Sequence, residues 1–269
     1  MREKYLRFTF GTKFGSALVL SVILVAVVSC TSAVRAQTCL DGQYSNLSQG
    51  YYTLQNDEWG LAGDPGGWQE ICSGNSSPTI NSWSSTWFWS TGTGAIKAYP
   101  SIYRGWQDGG SWSPSAGGFP QQISAQGSMP TSVTFAMTGD NKYDCAYDLF
   151  FSPSGNPTSP SEEMMVWLSY SGNQPAGTKI ASGISLAGVS GTWDVWSGNV
   201  GWPVYSFVRD TQVTSFTSNL QPFVYYLSYT NAWLDSSWYE LGIQFGAEIT
   251  QSNSANGSIT VSGFTAAAN

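Results

Sequence analysis

Three stretches of this sequence carry carboxylates on the side of a strand that its apolar residues leave free, which is where chemistry could be done. Side chains alternate between faces along a strand. In Glu163–Tyr170, Glu163, Met165, Trp167 and Ser169 therefore share one face, and Met164, Val166 and Leu168 the other. In Asp144–Phe151, alternation sets Asp144, Ala146, Asp148 and Phe150 against Cys145, Tyr147, Leu149 and Phe151. In Glu240–Glu248, it sets Glu240, Gly242, Gln244, Gly246 and Glu248 against Leu241, Ile243, Phe245 and Ala247. A carboxylate beside a thioether and an indole suits the floor of a groove, although a solvated face of an antiparallel strand gives the same parity. The chain has no histidine. That zero removes a Ser-His-Asp triad, a Cys-His pair, an imidazole zinc site and any imidazole base. Acid–base and nucleophilic work falls to carboxylates, with Tyr, Lys and Cys as minor candidates.

Strands must position these acids. Of 269 residues, 41% are apolar, 15% aromatic and only 10% charged, enough for a sizeable core and too apolar for disorder. Beyond residue 36 the texture is short β-branched and aromatic runs broken by Gly, Ser, Asn and Pro, such as Ser132–Met137, Pro203–Val208 and Ser258–Phe264. This pattern predicts an all-β sandwich. One segment differs. Leu220, Phe223, Val224 and Leu227 fall at helical spacing, with Pro222 near the first turn, and predict one amphipathic helix of about three turns packed on the sandwich. No low-complexity linker or repeat divides residues 37–269, which read as one domain. The net charge is −7, and beyond residue 36 only five bases stand against sixteen acids. A nucleic-acid partner, which needs a basic surface, is excluded.

The first 36 residues read as an address. A basic start precedes the unbroken apolar run Ala17–Val28, too short for a bilayer span of about 20 residues and suited to a secretory signal. Two exits are open. Val34-Arg35-Ala36 places the mature start at Gln37; Val27-Val28-Ser29-Cys30 resembles a bacterial lipobox, with Cys30 as a lipid anchor. Either puts the domain outside the cytoplasm, secreted or membrane-anchored, where disulfides form. Cys39 and Cys72 lie in loop-rich sequence that favours a bridge between them. Cys145 lies in an apolar strand and reads as a buried free thiol.

Thirteen tryptophans tilt the reading toward sugars. Several stand in polar company, including Trp59, and sugar C–H faces stack on aromatic planes while hydroxyls bond Asp, Asn, Gln and Tyr. An acidic, histidine-free, tryptophan-rich sandwich with carboxylates on one face points to glycan binding, and to glycoside cleavage by paired carboxylates. The residues carry a resemblance. Glu163-Met164-Met165-Val166-Trp167-Leu168 resembles the nucleophile strand of glycoside hydrolase family 12, the small endo-β-1,4-glucanases. Ala146–Phe150 resembles its strand with an Asp beside the nucleophile, Gln244–Glu248 its acid/base segment, and Asn56–Gly60 its Asn-Asn-x-Trp-Gly sugar-binding turn. Val204–Val208 and Trp83–Trp89 are similar to further segments, all in family order across Cys39 to Phe264.

The resemblance implies a β-jelly roll of two curved antiparallel sheets with one helix, and a disulfide between Cys39 and Cys72. It implies a retaining mechanism with Glu163 as nucleophile, Glu248 as acid/base and Asp148 hydrogen-bonded to Glu163, the two glutamate carboxyls about 5–5.5 Å apart. Asn56, Trp59, Met165 and Trp167 are the implied substrate-binding residues. Glu162 falls on the core parity and is set aside; Glu240 reads as a rim or solvent carboxylate. Two departures stand out: Asp57 replaces the second Asn of the turn, and Ile249-Thr250 stand where many members have Pro-Phe. The implied substrate is cellulose or mixed-linkage β-glucan, with xyloglucan as the alternative. A noncatalytic glycan-binding jelly roll is the competing reading of another class. No metal or cofactor motif appears, and the chain is expected to act as a monomer.

Overall fold

The computed structural model describes residue 11 and residues 37–269, except 75–77, 91–93, 110, 140, 253 and 254. The predicted leader and Cys30 lie outside the described residues. In chain order the strands begin with β1 (Cys39–Leu40), β2 (Asn46–Gln49), β3 (Tyr52–Gln55), β4 (Trp68–Ser73), β5 (Trp83–Phe88) and β6 (Ser101–Gln107). Next come β7 (Ser111–Trp112), β8 (Gln121–Gln122), β9 (Pro130–Thr138), β10 (Asn141–Ser152), β11 (Glu162–Ser171) and β12 (Thr178–Ile184). The last are β13 (Trp193–Asn199), β14 (Pro203–Arg209), β15 (Ser215–Asn219), β16 (Tyr239–Glu240), β17 (Gly242–Ser252) and β18 (Gly257–Ala266).

They form two sheets, as a jelly roll requires. One runs β1-β4-β5-β18-β9-β15; the other runs β12-β13-β14-β11-β10-β17-β6-β3-β2, with β7, β8 and β16 attached at its margins. Among the described strands the pairing is antiparallel except that β11 and β14 run parallel, because the chain leaves β11, makes the β12–β13 hairpin at the sheet edge and returns beside it. Inward parity fills the space between sheets. Met164, Val166 and Leu168 from β11, Ile243, Phe245 and Ala247 from β17, and Ile259, Val261 and Phe264 from β18 are all buried in one cluster. Each of these side chains apart from the Ala247 methyl contributes about 1.5–3 kcal/mol of burial. Trp87 and Trp89 share a face, as their spacing requires, and it is this interior one. Cys145 is there too, as a buried free thiol.

The predicted helix is present, but its α-helical part is short. Residues Gln221–Tyr225 form one α-helical stretch, α1, with Pro222 in its first turn. It widens at once into a π-type turn over Tyr226–Thr230, closed by the Asn231 N–H donating to the Tyr226 carbonyl at 3.2 Å. Leu220, Phe223, Val224 and Leu227 all enter the core, so the spacing identified the buried face. The disulfide Cys39–Cys72 joins two residues that are direct cross-strand partners of β1 and β4. Closing a 33-residue separation contributes about 3–4 kcal/mol in the chain-entropy account.

Candidate active site

The larger sheet turns its other face to a groove of about 760 Å³, and the strands at its centre supply the acids. On β11 the set opposite the core, Glu163, Met165 and Trp167, lines this groove. On β10 Asp148 and Phe150 do so, and on β17 Glu248. Register explains the convergence. β10 lies between β11 and β17, pairing Phe150 with Glu163 and Asp148 with Met165 on one side, and Asp148 with Gln244 and Asp144 with Glu248 on the other. Directly paired residues share a face. Alternation therefore gathers Glu163, Asp148, Asp144 and Glu248 onto adjoining strands, although they are far apart in the chain.

Four buried carboxyls with no cation among the described groove-lining residues cannot all ionise. Burial raises every one. Asp148 and Glu248 are held well above the usual carboxyl range by burial first; the charge of Glu163 then acts on Asp148, and those of Asp144 and Glu163 on Glu248. Burial pushes Asp144 up to about 8 against a hydrogen bond from Asn173. Glu163 is pushed up by burial only to about 7, because the Trp202 indole N–H and the Asp148 carboxyl both hydrogen-bond to it. The negative charge settles on Glu163, and Glu248 keeps a proton. This is the division of labour that an anionic nucleophile and a neutral acid require.

Two donors escape sequence reasoning, the indole of Trp202 and the amide of Asn173. Trp202, on the turn between β13 and β14, donates its indole N–H to Glu163 Oε2 at 2.8 Å. Asp144 accepts from Asn173 Nδ2 at 2.9 Å, and Thr250 Oγ1 donates to Asn173 Oδ1 at 2.8 Å. Thr250, one of the two departures, thus completes a chain that steadies the partner of Glu248. Parity had put Asp144 on the right face; nothing in a Gly-Trp-Pro turn says where an indole points.

The remaining expected residues divide. Trp59 is half exposed and lines the groove. Asn56 does not reach it: the side chain is fully buried, donating to Glu58 Oε1 at 2.7 Å and accepting from Gln69 Nε2 at 3.1 Å. It braces the turn that presents Trp59, and its assignment as a sugar ligand is corrected to that. Asp57, next to it, does line the groove. Its φ of +40° is a left-handed conformation that Asn and Asp tolerate best, which accounts for an acid at an asparagine position. Burial and then the charge of Asp108 raise its carboxyl to about 7.

Glu240 is a second correction. It is neither rim nor solvent-facing but fully buried, bonded to Gln126 Nε2 and paired with Phe151 on the core face. The chain breaks step at Leu241, which packs with Trp106 and Phe150, and a slip of one residue reverses every later face. Glu162 is also paired with Phe151, on its other side, and does not line the groove. As for metals, Cys39, Glu70 and Cys72 bring three ligand atoms within 4.8 Å of one another, but the disulfide uses both sulfurs.

Comparison with known proteins agrees with this geometry. The family model described as glycosyl hydrolase family 12 matches residues 50–269. Endoglucanase S of Pectobacterium parmentieri is 30% identical over 243 residues, covering 87% of this chain and 86% of that protein. A probable xyloglucan-specific endo-β-1,4-glucanase A of Aspergillus terreus is 34% identical over 220 residues, covering 80% and 81%. Among solved structures, the native family 12 xyloglucanase from Bacillus licheniformis superposes with a TM-score of 0.78 at 26% identity, covering 86% of this chain and all of that one. Endoglucanase 3 from Trichoderma harzianum gives 0.74 at 29% identity, covering 87% and 98%.

Proposed function

The chain belongs to glycosyl hydrolase family 12 and hydrolyses internal β-1,4-glucosidic bonds of glucans; from that premise we propose that Glu163, Glu248 and Asp148 do the chemistry, by double displacement with retention. The Glu163 carboxylate attacks the anomeric carbon as Glu248 passes its proton to the departing O4, so that the C1–O4 bond breaks and a glycosyl ester forms. Glu248, now a carboxylate, takes a proton from water as that water attacks C1. The ester opens, and both glutamates return to their starting forms. Once Glu163 is esterified its charge is gone, which lowers the proton affinity of Glu248 and suits it to act as base. Asp148, protonated, holds the nucleophile in place. Trp59, Met165 and Trp167 offer apolar surface to the sugar rings.

One observation carries this reading: Glu163 and Glu248 face the same groove, each backed by an aspartate, with neutral donors on the first. On the substrate, relatives named for xyloglucan support a branched β-1,4-glucan as a second reading beside cellulose or mixed-linkage glucan. We take the chain to act as a secreted monomer, residues 37–269 being the catalytic domain and residues 1–36 its leader; no described helix is long and apolar enough to cross a membrane. A reducing-sugar assay on carboxymethyl cellulose, mixed-linkage glucan and xyloglucan, with Glu163→Gln and Glu248→Gln as controls, tests the whole reading. Turnover is expected on at least one polymer and is lost in both variants. Full activity in either variant refutes the assignment.

A further inference from the structure

In the described lining of the groove, Glu163 has no cation beside it. Acids face it instead: Asp148 on β10, Glu248 on β17, Asp144 further along β10, and Asp108 after β6, with the Tyr99 hydroxyl before β6. The strand on its other side, β14, contributes only Val204 and Ser206 to the lining near it. A buried carboxylate so placed keeps its charge only through hydrogen bonds from neutral donors. It has two. One is the carboxyl proton of Asp148; the other is the indole N–H of Trp202.

The turn that carries Trp202 is built to hold it. Gly201 adopts φ +119°, a conformation that side-chain-bearing residues rarely reach. Its N–H donates to Asn199 Oδ1 at 3.1 Å, and the Val200 N–H donates to the Trp202 carbonyl at 3.0 Å. Pro203 then fixes the entry to β14. The indole stands edge-on to Phe150, ring centroids 6.2 Å apart at 86°. Phe150 stands edge-on in turn to buried Trp106, at 5.9 Å and 87°, and is the cross-strand partner of Glu163. The same phenylalanine therefore backs both the donor and the strand that bears the acceptor.

We propose that Trp202 is the positioning residue of the nucleophile, its indole N–H fixing Glu163 Oε2 and sustaining an anion in a groove that offers no positive charge. This rests on Glu163 being the nucleophile. It goes further by assigning the indole an electrostatic duty beyond that of an apolar wall. An N–H that favours the ionised form keeps Glu163 competent at lower pH, so losing it moves the acid limb of the first chemical step upward.

The test isolates that step. The probe is 2,4-dinitrophenyl 2-deoxy-2-fluoro-β-cellobioside: the nucleophile's oxygen bonds to C1, dinitrophenolate departs without needing a proton from Glu248, and the ester persists. Inactivation rate is followed against pH for wild type and Trp202→Phe, and the labelled peptide is identified by mass spectrometry. The wild type should carry the label on Glu163. Trp202→Phe should reach a plateau rate within about threefold of wild type, with its acid limb displaced upward by about one pH unit. Coincident limbs overturn the proposal, leaving the indole as a wall. If Trp202→Phe does not fold, ¹⁵N-indole spectra of the wild type decide the matter. One indole N–H resonance should titrate with the acid limb and stop titrating after labelling; no such resonance overturns the proposal. A label that falls on another residue, or on none, overturns the nucleophile assignment itself and with it this inference.

Discussion

Two groups of acids are buried in the same sheet, and only one of them lies on its groove face. On the groove face stand Asp144, Asp148, Glu163 and Glu248; on the core face Glu162 and Glu240 flank Phe151 from either side. Burial alone raises Glu162 and Glu240 to about 8, as far as burial raises Asp144 against the hydrogen bonds of Asn173 and Glu248. A raised carboxyl is therefore no mark of catalysis here. The groups differ in coupling and access. The groove-face acids act on one another, and Asp148, Glu163 and Glu248 line one groove of about 760 Å³ with Asp144 buried behind Glu248. Glu240 is tied to Gln126, whose backbone carbonyl accepts from Gln221 Nε2 at 2.7 Å and from the Tyr225 hydroxyl at 2.9 Å, so it belongs to the mounting of α1.

The sharpest way to break this contrast is to treat the adjacent pair alike. Glu163→Gln should abolish turnover of β-1,4-glucan, whereas Glu162→Gln should leave kcat/KM within about twofold, since its side chain lies off the groove. Equal losses in reducing-sugar assays would erase the distinction between faces. Next in size is Glu248→Gln. Loss of a general acid costs about 10²–10⁴ in rate; because Glu248 is also the base of the second step, kcat should fall on every substrate, but kcat/KM, which reports the first step alone, should fall far on polymer and little on aryl glycosides whose leaving group departs unprotonated. A uniform loss of kcat/KM on both would point to a collapsed groove instead.

Glu240 gives an effect in stability and none in activity. Its folded-state pKa is raised, so the folded chain holds its proton more tightly than the unfolded chain does. The stability this contributes is fully present below the unfolded value near 4.5 and is lost as pH rises through about 8. Wild-type Tm should fall across that window. Glu240→Gln, which cannot ionise, should flatten the fall by at least about 1 kcal/mol, or roughly 2–4 °C for a domain of this size, with kcat/KM unchanged. Parallel Tm profiles for the two proteins would contradict the burial of this acid as an ionisable group.

Alternation made much of this legible. It separated Met164, Val166 and Leu168 from Glu163, Met165 and Trp167 without any structure, and helical spacing picked out the four residues in and beside α1 that enter the core. It failed where the chain breaks step: counting through Leu241 placed Glu240 on the wrong face. It was silent in turns, where no period exists, and so missed Trp202. Asn56 shows a different limit. A polar residue beside an exposed tryptophan reads as a ligand, but a buried turn needs its own hydrogen bonds satisfied, and Asn56 is spent on Glu58 and Gln69.

The smallest expected effect tests that last distinction within a single turn. Trp59 and Asn56 stand three residues apart, one half exposed in the groove and the other wholly enclosed. If Trp59 stacks on a sugar away from the cleaved bond, its contribution is the same in the ground and transition states. Trp59→Ala should then raise KM while leaving kcat in place. An aromatic contact of about 0.5–1.5 kcal/mol corresponds to roughly a 2- to 12-fold increase, larger on long glucans than on short oligosaccharides that do not reach that end of the groove. Asn56→Ala acts by another route. It strands the carboxyl of Glu58 in the interior and leaves Gln69 Nε2 only the backbone carbonyl of residue 56, so its cost should appear in Tm, with KM disturbed only as the turn loosens. Were Asn56→Ala to raise KM at unchanged Tm, the side chain would have to be reaching sugar after all.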